Sequence, residues 1–210
     1  MGQVQIETPS GPARAALHEA DDARAALVLG HGAGGGIEAP DLVAARDAAL
    51  GERFTVALME QPYRVAGRRS PASANRLDEA WVTVVERLRA SELDGLPLVA
   101  GGRSLGARVA CRTVDQTGAE AVLCLAFPLL PPRRGDKPPQ SRLPELEAVN
   151  VPVLVVQGES DRFGMPPEGS NREVAPVPGD HGLKADPSAV ADAVRRWLAN
   201  LALPAVARTR

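Results

Sequence analysis

The chain has 210 residues, of which 44% are hydrophobic and 24% charged, and its formal net charge is −2. This composition is typical of one globular domain, so we expect a single domain over residues 1–210 with a flexible tail over 202–210. The nearly neutral charge and an aromatic content of 3% exclude the basic, aromatic surfaces that usually bind nucleic acids.

Targeting and metal-binding patterns are missing from the sequence. Residues 1–7 lack the basic and apolar segments of a signal peptide, and no apolar run approaches the ~20 residues of a membrane span. Cys111 and Cys124 form no CxxC or Cys/His cluster, so we expect two buried thiols and no metal site. These features predict a cytoplasmic protein with no membrane partner.

The first half of the chain predicts a hairpin followed by alternating strands and helices. Residues 4–7 and 13–18 flank a Pro-Ser-Gly-Pro turn and could pair as an antiparallel hairpin at a sheet edge. Three apolar runs are typical of strands buried on both faces: residues 25–29, 54–59 and 97–100. Two segments predict helices: residues 41–50 and 73–90.

The second half continues this alternation. It predicts helices and strands over these ranges: helix 105–117, strand 121–127, strand 151–157, strand 173–177 and helix 188–201. Such an order favours an α/β fold, with a mostly parallel central sheet and helices on both faces. Ligands bind at the carboxyl ends of parallel strands, so the loops at that edge are the first candidates for a site.

Residues 102–106, Gly-Arg-Ser-Leu-Gly, fit the pattern G-x-S-x-G between a predicted strand and a predicted helix. That context makes Ser104 a candidate nucleophile on a sharp turn, although a serine there could also simply cap the helix. A hydroxyl nucleophile needs a neighbouring base. Of the three histidines, His181 follows the last predicted strand, where a general base is expected, whereas His18 lies in the first hairpin.

The base in turn needs an acid that orients it. Asp161 follows the strand that ends near residue 158 and is our candidate for this acid. Glu159 is a close alternative, while Asp180 is adjacent to His181 and poorly placed to face it. An ordinary turn aspartate at position 161 remains the competing interpretation.

The glycine-rich loop over residues 31–36 follows an earlier strand and could approach a substrate closely. Backbone N–H groups of Ala33 or Gly34, together with that of Leu105, are the predicted donors of an oxyanion hole. These parts require no cofactor.

Together these pieces resemble the α/β-hydrolase superfamily, and most closely its small, dienelactone-hydrolase-like branch. The resemblance extends from His31 to His181 and rests on the order oxyanion loop, Ser, Asp, His. It implies a serine hydrolase with a Ser-His-Asp triad that cleaves a small ester, thioester or lactone through an acyl-serine intermediate. Residues 60–64 and 126–129 are also similar to a subgroup of uncharacterised bacterial hydrolases. That subgroup is related to a domain of animal chromatin-associated proteins, so a non-catalytic binding module remains an alternative.

The region in which larger hydrolases carry a lid is short here. Residues 128–143 are rich in proline and basic residues, which predicts a shallow, open site for a small-molecule substrate. The predicted substrate-binding residues are His31, Arg103, Arg64 and Phe127. Arg103 and Arg64, with Arg68 and Arg69, suggest a substrate that has a carboxylate or phosphate near its ester, but arginines on a solvated surface would look the same.

Residues 30–35 also match the dinucleotide fingerprint G-x-G-x-x-G after a strand, and Glu60 could bind a ribose. An NAD-dependent oxidoreductase is therefore a second alternative. It is the weaker one, because the next predicted helix begins only after Pro40 and because Ser104, Asp161 and His181 would have no role.

Overall fold

The computed structural model describes residues 2–131 and 139–206, and one eight-stranded sheet forms its centre. The strands lie in the order β1-β2-β4-β3-β5-β6-β7-β8. They are β1 (Gly2–Thr8), β2 (Gly11–His18), β3 (Ala25–Gly30), β4 (Phe54–Glu60), β5 (Leu98–Arg103), β6 (Ala121–Leu125), β7 (Val153–Gly158) and β8 (Arg172–Val177). Neighbours from β4 to β8 pair in parallel, as predicted.

The predicted N-terminal hairpin is confirmed. Strands β1 and β2 pair antiparallel, with Val4 opposite Ala15, and β2 then pairs antiparallel with β4. This hairpin extends the sheet on the side away from β8, so β3, β5, β6 and β7 lie in its interior.

Helices cover both faces of the sheet, which confirms the predicted α/β architecture. They are α1 (Pro40–Gly51), α2 (Pro62–Val65), α3 (Ala74–Arg89), α4 (Leu105–Arg112), α5 (Val114–Thr117), α6 (Leu143–Glu147) and α7 (Pro187–Asn200). Along β3, Val28 packs in one core with α3 and α4, whereas Leu27 and Leu29 pack in another core with α1 and α7. Strand side chains alternate between faces, so a parallel strand covered on both sides is apolar at most of its positions.

Several boundaries differ from the sequence-based expectations. The helix predicted over 105–117 is broken at Thr113, whose hydroxyl donates to the Val109 carbonyl at 2.8 Å, a local bond that competes with regular helix. Strand β5 continues through two glycines to Arg103, and the short helix α6 was not predicted. Part of the predicted basic loop, 132–138, and the end of the predicted tail, 207–210, lie outside the described residues.

Cys111 and Cys124 are both buried free thiols, as predicted. The longest helix within the described residues is α3, with 16 residues, and none there has the length and apolar character needed to cross a bilayer.

Helix α4 approaches the sheet very closely at Gly106. A Cβ atom at this position would lie 2.5 Å from the carbonyl carbon of Gly30 in β3, so any larger residue would push the helix away from the strand. The close approach brings the first turn of α4 to the carboxyl ends of β3 and β5. Ser104 lies in the turn that joins β5 to α4, at the edge of the sheet where parallel α/β folds bind ligands.

Candidate active site

Ser104 occupies a strained backbone conformation. Its φ of 52° and ψ of −101° lie in a region that non-glycine residues rarely adopt. The backbone N–H of Ser104 donates to the Leu125 carbonyl of β6 at 2.8 Å, which holds the turn in place. This strand–turn–helix geometry is the one in which a G-x-S-x-G serine projects its hydroxyl from the sheet.

The loops after β7 and β8 are held against each other and bring Asp161 close to His181. At Gly158, the last residue of β7, a Cβ atom would lie 2.7 Å from the Gly179 carbonyl oxygen, so only glycine allows the loops to approach this closely. Ser160 reinforces the contact, because its backbone N–H and its hydroxyl both donate to the Gly179 carbonyl, at 3.0 and 2.9 Å.

Ser104, His181 and Asp161 form one chain of hydrogen bonds across three loops. The Nδ1 atom of His181 lies 2.7 Å from Oδ2 of Asp161, and the Nε2 atom lies 2.9 Å from the Ser104 Oγ. Beside a carboxylate, Nδ1 carries the proton, which leaves Nε2 free to accept the serine proton. The three residues therefore have the mutual geometry of a nucleophile, a base and an orienting acid.

Two neighbours that the sequence analysis did not identify hold the acid and the base. Gln157 donates from Nε2 to Oδ2 of Asp161 at 2.8 Å, and the Phe163 backbone N–H donates to Oδ1 at 2.9 Å. The Phe163 ring also contacts the His181 ring edge to face, with centroids 4.5 Å apart. The sequence does contain a signal for Gln157, because it is the only polar side chain in the apolar strand β7. In the structure this side chain is fully buried.

The sequence of residues 23–185 matches a family model described as an alpha/beta hydrolase domain. This match covers well over half of the chain. The chain belongs to the alpha/beta hydrolase domain family. None of the proteins that have curated descriptions matches it.

Solved structures similar to this alpha/beta hydrolase show the same fold at low sequence identity. A serine hydrolase without a lid from Xanthomonas campestris is 20% identical, with a TM-score of 0.69, and the match covers 97% of this chain and 95% of that one. Est1E from Butyrivibrio proteoclasticus is 16% identical, with a TM-score of 0.74 and coverages of 94% and 98%. A dienelactone hydrolase from Anabaena variabilis is 14% identical, with a TM-score of 0.71 and coverages of 91% and 92%.

An open cleft of about 340 Å³ lies over Ser104. The three predicted oxyanion-hole residues, Ala33, Gly34 and Leu105, all line this cleft together with His181. Leu105 is the first residue of α4, and the first N–H groups of a helix have no acceptor within the helix. The Tyr63 hydroxyl donates to the Ala33 carbonyl at 3.0 Å, which anchors the glycine-rich loop.

His31 lies within the glycine-rich loop and does not line the cleft, although the sequence suggested a role in substrate binding. It is 1% exposed. Its Nδ1 lies 2.8 Å from the Gly32 carbonyl, and its Nε2 accepts a hydrogen bond from the Gln61 backbone N–H at 3.1 Å. These two partners require a neutral ring protonated on Nδ1, so His31 joins the loop to the residue that follows β4.

The burial of His31 predicts a pH dependence of stability. Burial lowers the pKa of His31, so the unfolded chain binds more protons than the folded chain between that pKa and the ordinary value of about 6.5. The free energy of unfolding should therefore rise with pH up to about 6.5, by at most about 1.4 kcal/mol per pH unit from this group. As the pH falls from about 6.5 through the folded-state pKa, this contribution to stability is lost, and at lower pH it should not change further. We expect the His31→Gln variant to flatten this slope in urea unfolding curves.

His18→Gln is the matched control, because burial also lowers the pKa of His18 but this residue lies in a half-exposed position on β2. We expect this variant to retain most of the wild-type slope. Equal flattening in the two variants would contradict the role assigned to His31.

Arg103 connects the region behind Ser104 to the histidine loop. Its Nε lies 2.9 Å from Oδ2 of Asp41, a completely buried carboxylate in the first turn of α1. Its Nη2 donates to the His181 carbonyl at 3.0 Å, and the guanidinium also lies against Gly32. Arg103 does line the cleft, as the sequence suggested, but its polar contacts are to the protein.

The other two predicted substrate-binding side chains do not line the cleft. Phe127 is fully buried in the core that includes residues of α3 and α4, and its carbonyl accepts a hydrogen bond from Gln157 at 3.1 Å. Arg64 lies on α2, near His31. The glycines of the dinucleotide fingerprint also have a role in packing, because Gly30 lies against Trp81 and Gly106. The helix that follows them, α1, begins only at Pro40.

Proposed function

We propose that this alpha/beta hydrolase is a serine hydrolase that cleaves small esters, thioesters or lactones, with Ser104 as nucleophile, His181 as base and Asp161 as orienting acid. The observation that supports this best is the continuous pair of short contacts on His181, 2.9 Å to the Ser104 hydroxyl and 2.7 Å to the Asp161 carboxylate. A binding module would have no need for a strained serine turn whose hydroxyl is hydrogen-bonded to an imidazole.

In the first half of the proposed reaction, the Ser104 Oγ attacks the carbonyl carbon of the substrate while its proton passes to Nε2 of His181. The carbonyl oxygen becomes an oxyanion. Backbone N–H groups of Leu105 and of Ala33 or Gly34 are the donors proposed to stabilise it, because these residues line the cleft together with Ser104. The bond to the leaving group then breaks, and the protonated imidazole gives its proton to the departing oxygen or sulfur.

The second half hydrolyses the acyl-serine. His181 removes a proton from water, and the resulting hydroxide attacks the acyl carbon. When the new tetrahedral intermediate collapses, the Ser104 oxygen leaves and takes the proton from His181, and a carboxylic acid is released. Asp161 stabilises the imidazolium in both halves. These steps balance without a metal or an organic cofactor.

A fluorophosphonate labelling experiment tests this proposal directly. We expect the wild-type protein to form a covalent adduct at Ser104, identified by mass spectrometry of the labelled peptide, because the reagent reacts with activated serines. The Ser104→Ala variant should give no adduct. The His181→Ala variant should react much more slowly, because the serine has lost the group that accepts its proton.

Ser91→Ala is the control, because Ser91 is an exposed serine that also has hydrogen-bond partners but lies outside the cleft. It should be labelled like the wild type. A folded wild-type protein that remains unlabelled would contradict the proposal and support the alternative of a non-catalytic binding module.

A further inference from the structure

The cleft over Ser104 is rich in arginine. Four arginines are among the residues that line it: Arg103, Arg108, Arg142 and Arg162. None of the three arginines at 64, 68 and 69, on which the sequence-based expectation of an anionic substrate partly rested, lies in this lining. The positive charge at the site therefore comes from the end of β5, from helix α4, and from the loops after β6 and β7.

These four arginines differ in their partners. Arg103 is paired with Asp41, and Arg108 donates from Nε to a Glu145 carboxylate oxygen at 2.8 Å. Arg142 donates to the Pro128 carbonyl at 3.0 Å, and the Arg162 guanidinium stacks over the Phe163 ring at 4.8 Å. Within residues 2–131 and 139–206, neither Arg142 nor Arg162 has a carboxylate at ion-pair distance.

Arg142 is the more buried of the two, because it is half-buried whereas Arg162 is exposed. Burial lowers the pKa of this guanidinium, and the positive charges of Arg108 and Arg112 lower it further, although Glu145 acts in the opposite direction. Glu145 is already shared, because it pairs with both Arg108 and Arg112. A partly buried cation among other cations gains from a bound anion, because the low local dielectric strengthens the attraction.

We infer that the cleft prefers esters that also bear an anionic oxygen group, a carboxylate or a phosphate, which Arg142 and Arg162 bind while the ester carbonyl lies at Ser104. A guanidinium offers planar, paired N–H donors that match the oxygen atoms of a carboxylate or of a phosphate. The inference rests on the proposed function, since it concerns the substrate of the same serine. It assigns substrate recognition to two residues outside the G-x-S-x-G motif.

Two pairs of isosteric esters test this inference. The acetate esters of 4-hydroxybenzoate and 4-hydroxybenzamide place the charge on the leaving group. The second pair places the charge on the acyl group. It consists of the phenyl monoester of terephthalate, which has a free carboxylate, and the phenyl ester of terephthalamic acid, which has a neutral carboxamide in its place. Each enzymatic kcat/KM is divided by the rate of hydroxide-catalysed hydrolysis of the same ester, which removes the intrinsic difference in reactivity.

We expect a preference for the anionic ester of about tenfold in at least one pair at low salt, the size of one charge-assisted hydrogen bond. The preference should shrink when salt is raised to about 0.5 M, because the cleft is open to solvent. Inhibition of neutral-ester hydrolysis by inorganic phosphate or by benzoate distinguishes the two anions. The stronger inhibitor indicates which oxyanion the cleft prefers.

The variants Arg142→Gln and Arg162→Gln should each reduce the ratio of anionic to neutral kcat/KM, with the larger reduction for Arg142. Arg142→Lys should retain part of the ratio, because it keeps the charge but loses the paired donors. Arg68→Gln is the matched control, because Arg68 is an exposed arginine that lines a different pocket, and its ratio should equal that of the wild type. If Arg142→Gln does not fold, the ratio of anionic to neutral kcat/KM in Arg162→Gln and Arg142→Lys provides the test.

A wild-type protein that hydrolyses the neutral esters with a ratio of one in both pairs would overturn this inference and leave the proposed function standing. The same conclusion follows if the ratio is unchanged in all three arginine variants of the cleft. A wild-type protein that hydrolyses none of the four esters and forms no fluorophosphonate adduct would overturn the proposed function, and this inference would fall with it.

Discussion

The Asp161→Asn variant is expected to lose turnover by a factor on the order of 10⁴, with little change in KM, because the acid sets the tautomer of the base. In the structure, the Asp161 Oδ2 lies 2.7 Å from Nδ1 of His181. An asparagine amide that donates to Nδ1 would stabilise the opposite tautomer, with the proton on Nε2, and Nε2 could no longer accept the serine proton. Steady-state kinetics on a neutral aryl ester would measure the loss.

Two nearby acids provide controls for this prediction. The Asp180 side chain accepts a hydrogen bond from the Gly182 backbone N–H at 2.8 Å, and Glu159 is exposed. The variants Asp180→Asn and Glu159→Gln should retain turnover within a few-fold of the wild type, because neither side chain orients the imidazole. If Asp180→Asn were as inactive as Asp161→Asn while both remained folded, the assignment of the acid would be wrong.

The Arg103→Met variant is expected to lower both the free energy of unfolding and the turnover number. It leaves Asp41, which is completely buried, without its cationic partner, and breaking such a pair costs about 3–5 kcal/mol. It also removes the hydrogen bond to the His181 carbonyl, which holds the loop of the base. Urea unfolding and steady-state kinetics on the same samples would measure the two effects.

The double variant Arg103→Met/Asp41→Asn separates these two contributions. Replacing the carboxylate by a neutral amide removes the unpaired charge, so much of the lost stability should return. Turnover should remain low, because the contact between Arg103 and the His181 carbonyl is still missing. Recovery of turnover in parallel with stability would mean that Arg103 stabilises the fold and does not position the base.

Local patterns in the sequence were sufficient to predict most of the architecture. Apolar runs predicted the interior strands, because a strand covered on both faces is apolar along most of its length. The helices α3 and α7 were predicted within a few residues of their observed bounds from apolar residues at spacings of three and four. The break at Thr113 and the five-residue helix α6 were not predicted, because such short elements leave no periodic signal.

The sequence by itself identified Ser104, Asp161 and His181 as candidates, because each follows a predicted strand and parallel strands end at one edge of the sheet. Only the tertiary structure revealed how the surrounding side chains are used. It placed His31 in the glycine-rich loop, Phe127 in the core and Arg103 between Asp41 and the His181 carbonyl.

It also brought Arg142 and Arg162 to the cleft, although they lie 38 and 58 residues after Ser104 in the sequence. The physical reason is that hydrophobic periodicity depends on neighbours within one or two turns and therefore can be detected in a short segment. The partner of a charged or polar side chain depends on which loops meet after the sheet has assembled, and no local pattern contains that information.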